Sequence, residues 1–201
     1  MARLQLNKSS LAREAKNLRT YERFLPSLDL KRQQLMAERA KAGHALAETR
    51  SEIESLRKQV GRTLPMLANM DVDLTDLANV TGVKLETENL VGTHLPIVKS
   101  VDVQVRPYAL LAKPHWVDNV AAMLREMLEL RIRAQVEERR VALLDAAVKT
   151  ITQRVNLFDK VLIPKARANI KRIRIYLSDE EMAAVVRSKI AKRKHAAVRS
   201  A

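Results

Sequence analysis

Cysteine is absent from the 201 residues, which excludes a disulfide framework and a thiolate metal site and is in keeping with a cytoplasmic location. Glycine occurs four times and aromatic residues make up 3% of the chain. That is thin material for a sheet-rich fold or a compact aromatic core. No uncharged run reaches the roughly 18 residues a membrane-spanning helix needs, and the opening MARLQLNKSS lacks the apolar centre of a secretion signal. With so few glycines there is no G-x-x-x-x-G-K-[ST] phosphate cradle. His44, His94, His115 and His195 are far apart and lack metal-ligand spacing. Carboxylates fall at helix-surface spacings, where pairing with Arg and Lys is expected, and paired acid–base work would need a dry concavity. These absences argue against catalysis, cofactor binding and metal binding by this chain.

What is present favours helix. Ala, Leu, Arg, Lys, Glu and Met dominate, residues that lose little conformational freedom in a helix. The net charge is +14 and is unevenly spread, with +6 in residues 1–60, −1 in 61–115 and +9 in 116–201. Basic excess on two helical arms suits an ordinary solvated surface, a nucleic-acid surface, or passage through a cavity of opposite sign.

Residues 1–60 hold one heptad register, the N-terminal arm. Its a positions are Leu4, Leu11, Leu18, Leu25, Arg32, Arg39, Leu46, Ile53 and Val60. Its d positions are Asn7, Glu14, Tyr21, Leu28, Leu35, Ala42, Thr49 and Leu56. A repeat of 3.5 sustained this long keeps a left-handed two-helix seam in contact. Asn7 and Glu14 make the outer end of the seam polar, and Arg32 and Arg39 place charge in its middle. Pro26 removes one helical hydrogen bond and predicts a kink or local break, although the register agrees on both sides of it.

Residues 61–115 form a middle region. Gly61 and Pro65 punctuate the chain, and MDVDLTDLANVTG reads as a short acidic helix ending near Gly82. VKLETENLV (83–91) and IVKSVDVQV (97–105) alternate β-formers with polar residues around GTHLP, predicting a β-hairpin with a five-residue loop over 83–105. Such a ribbon is marginal alone and must lean on the helices or a partner. A decorated turn and a docking or regulatory element are both open readings.

The C-terminal arm, 116–201, starts near Trp116 or Val117. Its a positions are Val120, Met127, Ala134, Val141, Val148, Val155 and Leu162, and its d positions Met123, Leu130, Glu137, Leu144, Ile151 and Phe158. After Pro164 the apolar residues reappear one step later, at Ala166, Ile170, Ile173 and Leu177. A four-residue insertion that locally unwinds the supercoil would produce such a phase change. The tail 187–199 is basic. The fold class expected is mainly α, a long antiparallel two-helix coiled coil of the two arms with a small middle region. At 1.5 Å per residue the arms would run roughly 85 and 110 Å. Aromatic interleaving for stacking on single strands is missing, yet a basic nucleic-acid-binding coiled coil and a cytoplasmic scaffold remain alternatives.

Four blocks in order, LQLNKSSL, LPSLDLKRQQL, VKLETENLVGTHLPIV and RVNLFDKVLIP followed by IKRIRIYLSDE, resemble the D subunit of the vacuolar/archaeal-type rotary ATPases, in its bacterial version. The most specific part is RVNLFDKVLIP followed by IKRIRIYLSDE, with Arg154, Val155, Asn156, Ile163 and Pro164 as its motif residues. The resemblance spans nearly the whole chain. It implies a non-catalytic central-stalk rotor subunit, present in one copy, that transmits rotation between an ATP-hydrolysing or ATP-synthesising head and a proton- or sodium-translocating membrane ring. It implies as partners the catalytic and regulatory head subunits (A and B type), the socket subunit on the ring and the F-type stalk subunit. It implies no cofactor, no direct nucleic-acid contact, and a peripheral position on the cytoplasmic side of the membrane, reached only through partners. The head-contacting tip would be Leu4 to Leu18 with about Ile173 to Arg193, with Leu4, Leu6, Lys8, Lys189, Lys192 and Arg193 foremost. The 83–105 hairpin would belong to the lower, regulatory part.

Overall fold

The computed structural model describes residues 4–68, 74–108 and 114–199. The chain is mainly helical, with a small antiparallel hairpin in its middle. Helix α1 runs Lys8–Thr63, strands β1 and β2 run Ala78–Leu90 and Thr93–Val105, and helix α2 runs Trp116–Leu157. A π-helical turn, Phe158–Leu162, joins α2 to α3, Ile163–Arg199. The chain divides into two compact units, residues 1–30 with 151–201 and residues 31–150.

Helix ends follow local chemistry. Leu4 lies ahead of α1, outside the helix, and Asn7 caps it by accepting the Ser10 N–H at 2.7 Å. The heptad pattern assigns both to the seam; a short amide side chain next to a helix start is worth more as a cap than as a polar seam residue. Arg62 in the last turn of α1 and Asp118 in the first turn of α2 complement the helix dipoles. Pro26 sits inside α1 without ending it.

In the unit of residues 1–30 and 151–201 the helices pair antiparallel. Lys8 meets Glu181, Glu14 meets Asn169, Glu22 meets Arg167, and the Tyr21 and Phe158 rings stack edge-on at 5.5 Å. Rising numbers on α1 meet falling numbers on the partner. Ile151, Val155, Ile163, Ala166, Ile170 and Ile173 are buried there. The phase change near Pro164 takes a different form from a supercoil stutter. Extending the spacing of Leu144, Ile151 and Val155 calls for 162, 165, 169 and 172, but the buried residues are Ile163, Ala166, Ile170 and Ile173, each one late. The π turn holds the one surplus residue, and the Ile163 N–H reaches back five residues to the Phe158 carbonyl.

In the unit of residues 31–150 the pairing is antiparallel as well, with Arg39 meeting Asp145, Arg50 meeting Glu138 at 2.6 Å, and Thr63 meeting Met123. Leu35, Ala42, Thr49 and Leu56 recur every seven residues as the buried line of α1, opposite buried Ala134 and Leu144. Leu64, Leu77, Val117, Val120 and Ala121 form a cluster where α1 ends and α2 begins, with Val60, Trp116 and Met123 packed against it.

The hairpin is longer and tighter than the alternation suggests. The strands start at Ala78 and end at Val105, joined by two residues, Val91 and Gly92, at φ of 50° and 80°. Positive φ at both positions marks the turn whose twist matches the strands, and Asn89 Oδ1 accepts the Gly92 N–H at 3.0 Å. Pro96, expected in the loop, pairs within the ladder opposite Thr87; a two-stranded ribbon leaves each strand an unladdered side where a missing N–H costs nothing. Residues 78–82 (ANVTG), expected at the end of an acidic helix, are strand, preceded by Asp76 at a φ of 56° that no helix accommodates. The rest of that helix falls partly outside the described residues, and Pro65–Ala68 is a 3-10 turn. Strand β2 faces inward, with Leu95 fully buried, while β1 is exposed along most of its length.

Candidate functional site

Among the described residues no cluster of His, Asp and Glu could hold a metal ion, and no helix is long and apolar enough to cross a membrane. The best-formed concavity, about 310 Å³, lies in the unit of residues 31–150 between β2 and the two helices. Glu38, Lys41, Arg133, Glu137 and Arg140 line it with Pro96, Ile97 and Val98. Lys41 pairs with Glu38 at 2.7 Å and Arg140 with Glu88 at 2.8 Å, so two of its cations are committed to carboxylates. One oxygen of Glu137 is buried there without a hydrogen-bond partner. Of these groups the Arg140–Glu88 pair ties β1 to α2. The lining of the concavity holds no Ser, Thr, Cys or His.

The residues marked by the sequence distribute as follows. Of the seam set, Leu35, Leu56, Leu144, Ile151 and Val155 are buried. Leu11, Leu18, Leu25, Leu28, Leu46, Ile53, Val141, Val148, Phe158 and Leu162 are half-buried, as is Leu4 ahead of the helix. Of the motif set, Val155 and Ile163 are buried, Asn156 is half-buried, and Arg154 and Pro164 are exposed, and all of them border or flank the π turn. Leu6 is half-buried and Lys8 exposed beside Glu181, 3.9 Å away. Lys189, Lys192 and Arg193 are exposed on α3, about two to three helical turns beyond Glu181.

Three features escape the sequence patterns. Arg39–Asp145, Arg50–Glu138 and Arg140–Glu88 are long-range pairs that no local spacing announces. Met182, Val185, Val186 and Ile190 form a half-exposed apolar stripe on α3, legible in hindsight from spacings of three, four and eight. The hydroxyl of the half-buried Tyr108 donates to the Asp118 carboxylate, and that hydrogen bond, with some burial and the neighbouring charge, raises the pKa of the phenol above its ordinary value.

The geometry is that of helices cross-linked along their length, with apolar and basic surface at the α3 end. Comparison with known proteins agrees in kind. The family model for the ATP synthase D subunit matches residues 10–193. The V-type ATP synthase D subunit of Borreliella burgdorferi is 33% identical over 192 residues, covering 96% of this chain and 95% of the relative. The V-type ATP synthase D subunits of Chlamydia muridarum and Chlamydia caviae are 30% and 29% identical over 198 and 196 residues, covering 96% of this chain and 96% and 94% of theirs. The chain therefore belongs to the family of ATP synthase D subunits, as a component of a V-type, membrane-associated rotary ATPase.

Proposed function

We propose that this chain is the non-catalytic central-stalk rotor subunit of its ATPase, carrying rotation between the catalytic head and the ion-translocating ring. The supporting observation is the way α1 is locked antiparallel to α2 and α3 by contacts inside each unit, from Lys8–Glu181 to Thr63–Met123. Torque transmission needs torsional stiffness, and two helices fixed to each other along a seam resist twisting far better than one. Its partners are the A- and B-type head subunits, the socket subunit on the ring and the F-type stalk subunit, on the cytoplasmic side of the membrane. Leu4, Leu6, Lys8, Lys189, Lys192 and Arg193 form the head-contacting tip, where charge and shallow contacts suit a bearing that must slip. The seam residues and the three segments 1–60, 61–115 and 116–201 are arm, middle region and arm of that rotor.

The test is capture of the tagged chain from detergent-solubilised host membranes, with mass spectrometry and an ATPase assay. Head subunits in a ratio of one copy of this chain per hexamer support the rotor. Unrelated proteins without ATPase activity, or nucleic acid released steeply by salt, overturn it. Neutralising Lys189, Lys192, Arg193 and Lys194 together lowers the coupling of ATP turnover to ion transport; unchanged coupling removes the tip assignment.

A further inference from the structure

We propose that the π turn and Pro26 form one compliant joint, a deliberate soft point in the helix pair of residues 1–30 and 151–201. Both elements interrupt the i→i−4 ladder that makes an α-helix stiff. Pro26 has no N–H to give the Glu22 carbonyl, and Pro164 has none to give the carbonyl of Lys160. The π turn between them in the pairing is wider, with its closing bond from Ile163 N–H to Phe158 O.

The two interruptions lie within about one helical turn of each other along the pair. The Tyr21 ring meets the Phe158 ring, and Glu22 meets Arg167 at 2.7 Å. Because the helices are antiparallel, the Tyr21–Phe158 contact puts Pro26, about one turn further along α1, opposite the last turn of α2. The Glu22–Arg167 contact puts it opposite the end of the π turn, so the two interruptions bracket one level within about a helical turn. Packing is thin at that level. None of Phe158–Leu162 is buried, and none of residues 20–30 on α1 is buried. Phe24, Leu157 and Val161 are 52%, 46% and 49% exposed. On either side the seam closes again, with Val155 at 7% and Ile163 at 6% exposure.

A single interrupted helix would be splinted by an intact neighbour. Here neither helix splints the other, so bending and twist concentrate at this level and the segment beyond it, 8–20 with 163–199, yields first. The surplus residue is what creates the π turn, and removing it brings Ile163, Ala166, Ile170 and Ile173 back onto the seam spacing of α2. In a torque-bearing subunit such a joint would store elastic twist near the chain ends; that use rests on the rotor reading, whereas the joint itself does not.

Hydrogen exchange of the full-length chain, followed by mass spectrometry, tests it. Amides in 156–164 and 22–28 are expected to exchange about 10-fold or more faster than those on both flanks, 144–151 and 168–174. Deleting Val161 together with Pro164→Ala is expected to slow 156–164 to the rate of its flanks. Pro26→Ala alone, which leaves the π turn and its register untouched, is expected to slow both 22–28 and the facing 156–164. A flat profile, a steady rise toward the chain end, or variants that leave these rates unchanged would overturn the joint. The measurement involves no ATPase, so a failed capture experiment leaves it standing, and a flat profile leaves the rotor reading standing.

Discussion

Val155 lies on the buried line immediately before the π turn at 7% exposure, while Val161, six residues later, is 49% exposed. Substituting Asp at each separates a seam position from a surface one within two helical turns. At Val155 the lost apolar burial costs about 1.5–3 kcal/mol. The introduced carboxyl adds a penalty of at least about 1–3 kcal/mol for leaving a polar group unsatisfied in a dry seam. That penalty has a ceiling, because the carboxyl can take up a proton. From an ordinary pKa of about 3.9, protonation at pH 7 costs about 4 kcal/mol. The neutral acid is still an unsatisfied polar group, so the ceiling is that about 4 kcal/mol plus about 1–3 kcal/mol. The expected loss at pH 7 is therefore about 3–10 kcal/mol, a fall in Tm of at least about 6 °C for a chain of this size. The sign with pH follows from burial, which raises the folded-state pKa of the introduced carboxyl above its unfolded value. Its neutral form is then favoured in the folded state, so the deficit relative to wild type shrinks as pH falls, by up to about 3 kcal/mol between pH 7 and pH 5. Val161→Asp is expected to cost under about 1 kcal/mol at either pH. Circular dichroism melting at 222 nm at both pH values reads all four quantities. Equal, small shifts for the two variants would mean that Val155 is not on the seam and that the register on this arm is wrong.

Leu95→Ala empties a fully buried position beneath the ribbon and is expected to cost about 2–5 kcal/mol, seen as a lower denaturation midpoint; a change below about 1 kcal/mol would mean that the ribbon does not pack on the helices. Arg140→Ala removes the partly exposed tie to Glu88 and is expected to cost about 1 kcal/mol or less overall, while amide exchange in 84–90 speeds up; unchanged exchange there would show the pair to be incidental. Replacing 78–105 by a short linker is expected to leave the helix signal per helical residue intact, and its loss would make the ribbon part of the folding nucleus. Asp118→Asn removes the charge of the carboxylate that accepts the Tyr108 hydroxyl, so the ultraviolet titration of that phenol, isolated as the difference from a Tyr108→Phe background, is expected to move to lower pH.

Much of this protein is decided by periodicity alone. A seven-residue repeat from Leu11 to Val60 and its counterpart from Val120 to Phe158 require two long helices that bury one stripe each, because no other backbone places i, i+3, i+4 and i+7 on one side. The charge distribution and the four family blocks are also properties of the string, and they carry the family without any coordinates. Local chemistry is readable where it is strictly local and misleading where it competes. Asn7 suits a seam or a cap, and the cap prevails because orphan N–H groups at a helix start gain most from a nearby oxygen. Pro96 and the residues 78–82 carry loop or helix signals, and pairing across the ribbon overrides them. The two-residue turn at Val91 and Gly92 is invisible in the string because valine at positive φ goes against its own preference and is held there by the strands it joins.

Other features exist only once distant residues meet. Arg39–Asp145, Arg50–Glu138 and Arg140–Glu88 depend on which residues stand opposite one another, a quantity set by packing over many turns. The one-residue phase change near Pro164 is visible in the sequence, but its physical form is not. A surplus residue can be spread over a supercoil or gathered into one wide turn, and both leave the same apolar spacing behind. The choice falls to the π turn beside Pro164, where a proline already forfeits a helical hydrogen bond and gathering the defect in one place sacrifices the fewest others.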